Sequence, residues 1–134
     1  MSEGIRRESL RDLWHRALAE DGADHDVTCM VALAEKAVGR AHLYARQTGV
    51  FAGRVLFDLL VDEYAGRLQA SLDVQDGAVL EAGARIAALV GPLKLLLGIE
   101  RTLLNFLERL CGVATLTRRY VEAAAGTRAA VYDT

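Results

Sequence analysis

The chain has 134 residues, 52% of them hydrophobic and 25% charged, with a formal net charge of −2. That balance supports one buried core and excludes an intrinsically disordered chain. The small negative charge also excludes a broad basic face for a nucleic-acid backbone.

Two cysteines, Cys29 and Cys111, cannot build a disulfide framework, and they read as reduced, small apolar side chains. The first residues, Met1 to Glu8, lack the apolar centre of a signal peptide. The longest apolar run, Ile86 to Ile99, is interrupted by Pro92 and Lys94 and is shorter than the ~20 residues that span a bilayer. The expectation is a cytoplasmic protein with neither a membrane nor a nucleic-acid partner.

In chain order, Ser9 to Glu20 reads as a helix, with Ser9 as N-cap and Asp12 three residues on. Leu10, Leu13, Trp14, Ala17 and Leu18 recur at helical spacing on one face. The acidic loop Glu20 to Thr28 ends it and suggests capping and turn hydrogen bonds, since its spacing does not fit a calcium loop. From Gly39 to Arg46 the period becomes two, with Ala41, Leu43 and Ala45 facing one way and Arg40, His42, Tyr44 and Arg46 the other, as in a half-buried strand.

A turn at Gln47–Gly49 and an extended piece at Val50–Gly53 lead to a helix over Val55–Tyr64 and a strand through Leu68, Ala70, Leu72 and Val74. Gln75-Asp76-Gly77 is a turn signal between two strands and predicts a hairpin. A further strand runs around Ile86, Ala88 and Val90. Pro92 can open a helix at little cost because its missing N–H would be unpaired there. Gly98 predicts a break between a short helix and a long one, and Gly126 predicts the stop. Arg128 to Asp133 reads as a last strand.

His15, His25 and His42 lack zinc-ligand spacing, so no metal site is expected. Arg101 lies near the start of a helix whose other face is leucine-rich. By spacing alone it reads as a solvated arginine paired with Glu100 or Glu108. Asn105, amid leucines, reads as a buried, hydrogen-bonded brace.

The stretch Glu100-Arg101-Thr102-Leu103-Leu104-Asn105-Phe106-Leu107-Glu108-Arg109-Leu110-Cys111-Gly112-Val113-Ala114-Thr115 closely resembles a helix of the quinolinate phosphoribosyltransferases, also called nicotinate-nucleotide pyrophosphorylases (carboxylating). Glu20 to Thr28 resembles the family's E-D-x-x-x-G-D-x-T, with His25 in place of glycine. Gly49-Val50-Phe51-Ala52-Gly53 resembles its G-V-x-A-G, and Asp133-Thr134 resembles the opening of D-T-R-K-T.

The resemblance implies an α+β fold: a sheet-plus-helices N-terminal domain over 1–112, then a helix and the first strand of an α/β barrel over 113–134. It also implies that the chain is the front part of a longer enzyme and is inactive alone. The implied reaction converts quinolinate and phosphoribosyl pyrophosphate, with Mg²⁺, to nicotinate mononucleotide, pyrophosphate and CO₂ in NAD synthesis. Arg101 and Thr134 stand at substrate-binding positions, with Glu100, Asn105 and Asp133 supporting them. No catalytic or metal residue falls within the chain, and a homodimer or larger homo-oligomer is implied, with Arg101 reaching the neighbouring subunit's site.

Relatives of the same architecture, such as the molybdate-transport-linked proteins and nicotinate phosphoribosyltransferase, are the nearer alternatives, and an isolated non-catalytic dimerisation domain is another. Asp76 to Ile86 also resembles a biotinyl or lipoyl carrier pattern. The only lysines, Lys36 and Lys94, are not set on the exposed hairpin tip that such a carrier needs.

Overall fold

A computed structural model of the protein describes residues 3–22 and 36–132. Among these residues are three helices, α1 (Glu3–Glu20), α2 (Arg54–Glu63) and α3 (Leu93–Ala124), and five strands, β1 (Val38–Tyr44), β2 (Gly49–Val50), β3 (Gln69–Leu72), β4 (Val79–Leu80) and β5 (Arg85–Pro92). The expected α+β class is what the chain forms.

The larger sheet has the order β1-β5-β3, antiparallel throughout. Its inward rows alternate in size: Leu43, Ala87 and Leu72 lie side by side, as do Ala41, Leu89 and Ala70. Small residues in one row thereby meet large ones in the next, which lets neighbouring strands interdigitate on one face. The period-two reading of β1 matches its alternating burial. On that face sits a core of Trp14, Phe51, Leu56, Phe57, Leu60 and Leu103, each 2% exposed or less.

Five sequence expectations change. Ser9 does not cap α1, because the helix begins at Glu3. Leu13, at 45% exposure, is outside the stripe of Leu10, Trp14 and Leu18 that meets the core.

Gln75-Asp76-Gly77 does not close a hairpin: β3 pairs with β5, and β4 pairs with β2. The Asp76 carboxylate instead accepts the backbone N–H groups of Gly53 (2.8 Å) and Arg54 (3.1 Å), capping α2 from across the fold. A helix's first N–H groups have no partner within the helix, so Asp76→Ala is expected to cost about 1–2 kcal/mol. A shift of the urea midpoint at unchanged slope measures it.

Gly98 does not interrupt α3, which is continuous from Leu93 to Ala124. Burial of Leu96 and Ile99 on either side of it outweighs the ~1 kcal/mol that a helical glycine costs. The helix also runs through Gly112 unbroken.

Gly126, at φ +81°, takes the left-handed turn after the helix. Residues 129–132 beyond it form no ladder. The strand expected there is absent over the described residues because a strand needs a neighbour, and Val131 and Tyr132 remain 43% and 83% exposed.

Candidate functional site

α3 is anchored by one buried stripe, Leu96, Ile99, Leu103 and Leu107, at the spacing that keeps residues on one helix face. Arg101, Asn105, Glu108 and Gly112 follow each other on the opposite, exposed side. Asn105 is therefore not the buried brace that its leucine neighbours suggested. It stands in solvent one turn beyond Arg101, because Leu103 and Leu107 point to the other side of the helix and Leu104 is itself 39% exposed.

The second half of α3 is fixed by a different segment. The N–H of Val50 donates to Thr115 Oγ1 (2.9 Å), and that hydroxyl donates to the Cys111 carbonyl (2.6 Å). The N–H of Ala52 meets Cys111 Sγ at 3.4 Å. Gly53 lies so close that an added Cβ would sit 2.4 Å from Leu107 Cδ2. The Gly49–Gly53 loop and the Cys111–Thr115 turn of the helix are thus one interlocked unit, and Arg101 rides on its rigid extension.

Among the described residues three arginines are held closely by carboxylates, while Arg54 meets Asp58 at a looser 3.8 Å. Arg11 meets Glu63 at 2.9 Å and Arg118 meets Glu122 at 2.9 Å. Arg85 donates to Asp73, whose hydrogen bond and charge raise the guanidinium pKa above its ordinary value.

Arg101 differs. Its partner among the described residues is neither Glu100 nor Glu108 but Asp21, whose Oδ1 lies 3.9 Å from Nε, and its side chain is 82% exposed. It is the most exposed and most loosely held of these pairs. The outer edge of its guanidinium therefore faces water, with two parallel N–H groups in the geometry that matches a carboxylate.

Asp21 is a residue that spacing did not single out. It follows the last residue of α1, where a negative charge opposes the helix dipole and is disfavoured by about 0.3–1 kcal/mol. Its Oδ2 accepts the hydroxyl of Thr102 at 2.6 Å, across 81 residues of sequence. Thr102 is 1% exposed, the buried polar residue among the described core. An acidic pair at a helix C-terminus, where a basic residue would be the default, was the available signal.

Glu100 is exposed beside Arg101. Asp133 and Thr134 lie outside the described residues, as do His25 and Cys29, so their placement relative to Arg101 is not described. Among the described residues no three His, Cys, Asp or Glu side chains gather as a metal site, and no helix is long and apolar enough to cross a membrane.

Two concavities occur elsewhere. One of about 40 Å³ between α1 and α2 includes Arg11, Asp58 and Asp62, and one of about 200 Å³ against β3 includes Arg54 and Asp58. Carboxylates line both, which suits neither to a dianion, and neither includes Arg101. The Arg101 face is open rather than a closed pocket.

Residues 26–111 match the family model for the N-terminal domain of quinolinate phosphoribosyl transferase. Nicotinate-nucleotide pyrophosphorylase (carboxylating) of Mycobacterium leprae is 33% identical over 130 residues, which are 95% of this chain and 46% of that protein. Quinolinate phosphoribosyltransferase (decarboxylating) 1b of Nicotiana tabacum is 31% identical over 116 residues, 86% of this chain and 33% of that one. Among solved structures, NadC of Streptococcus pyogenes superposes with a TM-score of 0.84 at 30% identity, covering 94% of this chain and 46% of its own. The nicotinate-nucleotide pyrophosphorylase of Francisella tularensis gives 0.77 at 29% identity, covering 87% and 41%. The chain spans a third to under a half of the length of these relatives.

Proposed function

The chain belongs to the quinolinate phosphoribosyltransferase family, and from that membership we propose that it serves the transfer of a phosphoribosyl group to quinolinate. The products are nicotinate mononucleotide, pyrophosphate and CO₂, a step of NAD synthesis, and the setting we assign is the cytoplasm. The observation that carries the reading is the open guanidinium of Arg101 on a helix face held rigid from behind.

Quinolinate is a planar pyridine with two adjacent carboxylates, ionised at neutral pH. A guanidinium keeps its charge and offers a flat fork to one of them, each such charge-assisted bond contributing roughly 1.5–3 kcal/mol. An open edge binds such a ligand well only when a second surface closes over it. Arg101 accordingly acts across a homodimer interface, meeting substrate held by the neighbouring subunit. Thr134 is assigned a substrate-binding role beside that of Arg101, with Glu100, Asn105 and Asp133 supporting them.

In this reading phosphoribosyl pyrophosphate and its Mg²⁺ fall to the rest of the enzyme, since the chain spans a third to under a half of the length of its relatives. The division of labour follows from the charges. Ribosyl transfer builds positive charge at the anomeric carbon, while the arginine edge orients the base for attack through its ring nitrogen. Once that nitrogen carries the ribose, the cationic ring stabilises the carbanion left as CO₂ departs.

With quinolinate labelled in the carboxyl group at ring position 2, the enzyme containing this chain is expected to release labelled CO₂ only when phosphoribosyl pyrophosphate is present. Phosphoribosylation of nicotinate without release from quinolinate would instead mark a nicotinate phosphoribosyltransferase.

A further inference from the structure

Two segments far apart in sequence meet at Asp21. Its Oδ2 takes the hydroxyl of the buried Thr102, while its Oδ1 faces Nε of Arg101. The backbone of Asp21 is itself fixed, its N–H bonded to the Ala17 carbonyl at 2.9 Å, with Gly22 turning the chain immediately after at φ +67°. One carboxylate is thus clamped by a threonine and presents its remaining oxygen to the residue just before that threonine in the same helix.

We infer that Asp21 is a positioning residue for Arg101: it holds the inner Nε edge of the guanidinium and so turns the outer, two-pronged edge toward an incoming carboxylate. This inference rests on the reading of Arg101 as a quinolinate-binding residue and deepens it. The physical reason is the shape of the group. An arginine with 82% exposure samples many rotamers, and each is lost when a ligand is bound. A fixed negative charge beside Nε favours the subset in which that edge points back to the protein.

At 3.9 Å the pair is an attraction through charge and not a hydrogen bond. Its strength is therefore modest, and Arg101 can still engage a ligand at its far edge. The position of Asp21 supports the assignment independently. An acid after the end of α1 works against the helix it terminates, so its presence calls for a use elsewhere. Thr102 alone would accept a neutral partner there, because a hydroxyl donates equally to an amide oxygen.

That last point supplies the test. Asp21→Asn keeps an acceptor for Thr102 and removes the charge that faces Arg101. Relaxation of the Arg101 Nε–H, measured by NMR on this chain, reports the order of the guanidinium. Arg109, exposed on the same helix with no ion pair described, serves as the internal standard. Arg101 is expected to be more ordered than Arg109 and to fall to its level in Asp21→Asn. In the quinolinate-converting enzyme the same variant should raise KM for quinolinate about two- to fivefold, the range for an exposed ion pair, at unchanged kcat.

An Arg101 signal equally ordered in both proteins, or an unchanged KM, would overturn the positioning role and leave Asp21 a structural link to Thr102. Failure of the underlying reading has a different signature, namely an Arg101→Ala enzyme whose quinolinate kinetics match the parent.

Discussion

Arg101→Ala is expected to lower kcat/KM for quinolinate by roughly 30- to 1,000-fold, corresponding to about 2–4 kcal/mol, or one to two charge-assisted hydrogen bonds. The folded domain should not notice the change. Arg101 is 82% exposed and its one described ion pair is long, and alanine is a better helix former than arginine. Unfolding by urea should therefore give the parent's midpoint within experimental scatter.

Arg101→Lys is the sharper companion. It keeps the charge and shortens nothing essential to the fold, but it replaces a planar fork by a point charge. If flat, two-pronged recognition is what matters, lysine should recover only a minor part of the loss. Kinetics for phosphoribosyl pyrophosphate should move little in either variant, because the guanidinium is assigned to the base and not to the sugar phosphate. A parent-like quinolinate KM and kcat in Arg101→Ala would remove the residue from the substrate site.

The second large effect concerns stability. Trp14 is fully buried, with its ring 5.9 Å from that of Phe106 at a tilt of 57°. It is the anchor of α1 on α3. The contacts that accompany it, an Arg11–Glu63 ion pair and a 2.8 Å approach of His15 Nε2 to Glu63, are partly exposed and contribute at most about 1 kcal/mol each. Trp14→Ala removes a large core side chain and is expected to destabilise the domain by about 3–5 kcal/mol.

Trp14→Phe should cost much less, about 1–2 kcal/mol. The indole Nε1–H is buried without a hydrogen-bond partner among the described residues, so its removal breaks no bond and leaves only a smaller void. Equal losses in the two variants would show that an indole hydrogen bond, and not packing, holds the helix. Because α1 ends beside Asp21, loosening Trp14 should also release the carboxylate that faces Arg101, connecting core packing to the recognition edge.

Much of this architecture was readable in the residues. The period-two alternation of β1 survived because one face of the sheet is buried and the other is not, which is the condition under which a strand declares itself. The apolar spacing of α3 and the helix start after Pro92 were equally direct. The errors share a cause: each was a signal read from neighbours in sequence and overruled by the folded geometry. Gly98 looked like a break until Leu96 and Ile99 were buried around it. Asp76-Gly77 looked like a hairpin turn, but its carboxylate is claimed by the N-terminus of α2. Asn105 looked buried because leucines neighbour it in sequence, whereas the helix turns Leu103 and Leu107 away.

The candidate site was legible in part. Arg101 stood out through the helix that carries it, and its pairing was misjudged because Glu100 and Glu108 are near in sequence while Asp21 is near in space. Thr102 and Asp21 escaped notice since a hydrogen bond across 81 residues leaves no periodic trace. The interlock of Gly49–Gly53 with Cys111–Thr115 was likewise invisible: each segment reads as a common turn or helix end until the two are brought together.

The measurement that bears most directly on the central claim is a subunit-mixing assay. An Arg101→Ala enzyme is combined with a second variant that keeps Arg101 but is inactivated outside this domain. If Arg101 serves the neighbouring subunit's substrate, each alone keeps at most the few per cent left to Arg101→Ala, and mixed dimers regain one working site, giving roughly a quarter of parental quinolinate turnover after random exchange. A mixture whose subunits have demonstrably exchanged and that remains as inactive as its components would contradict an arginine acting across the interface.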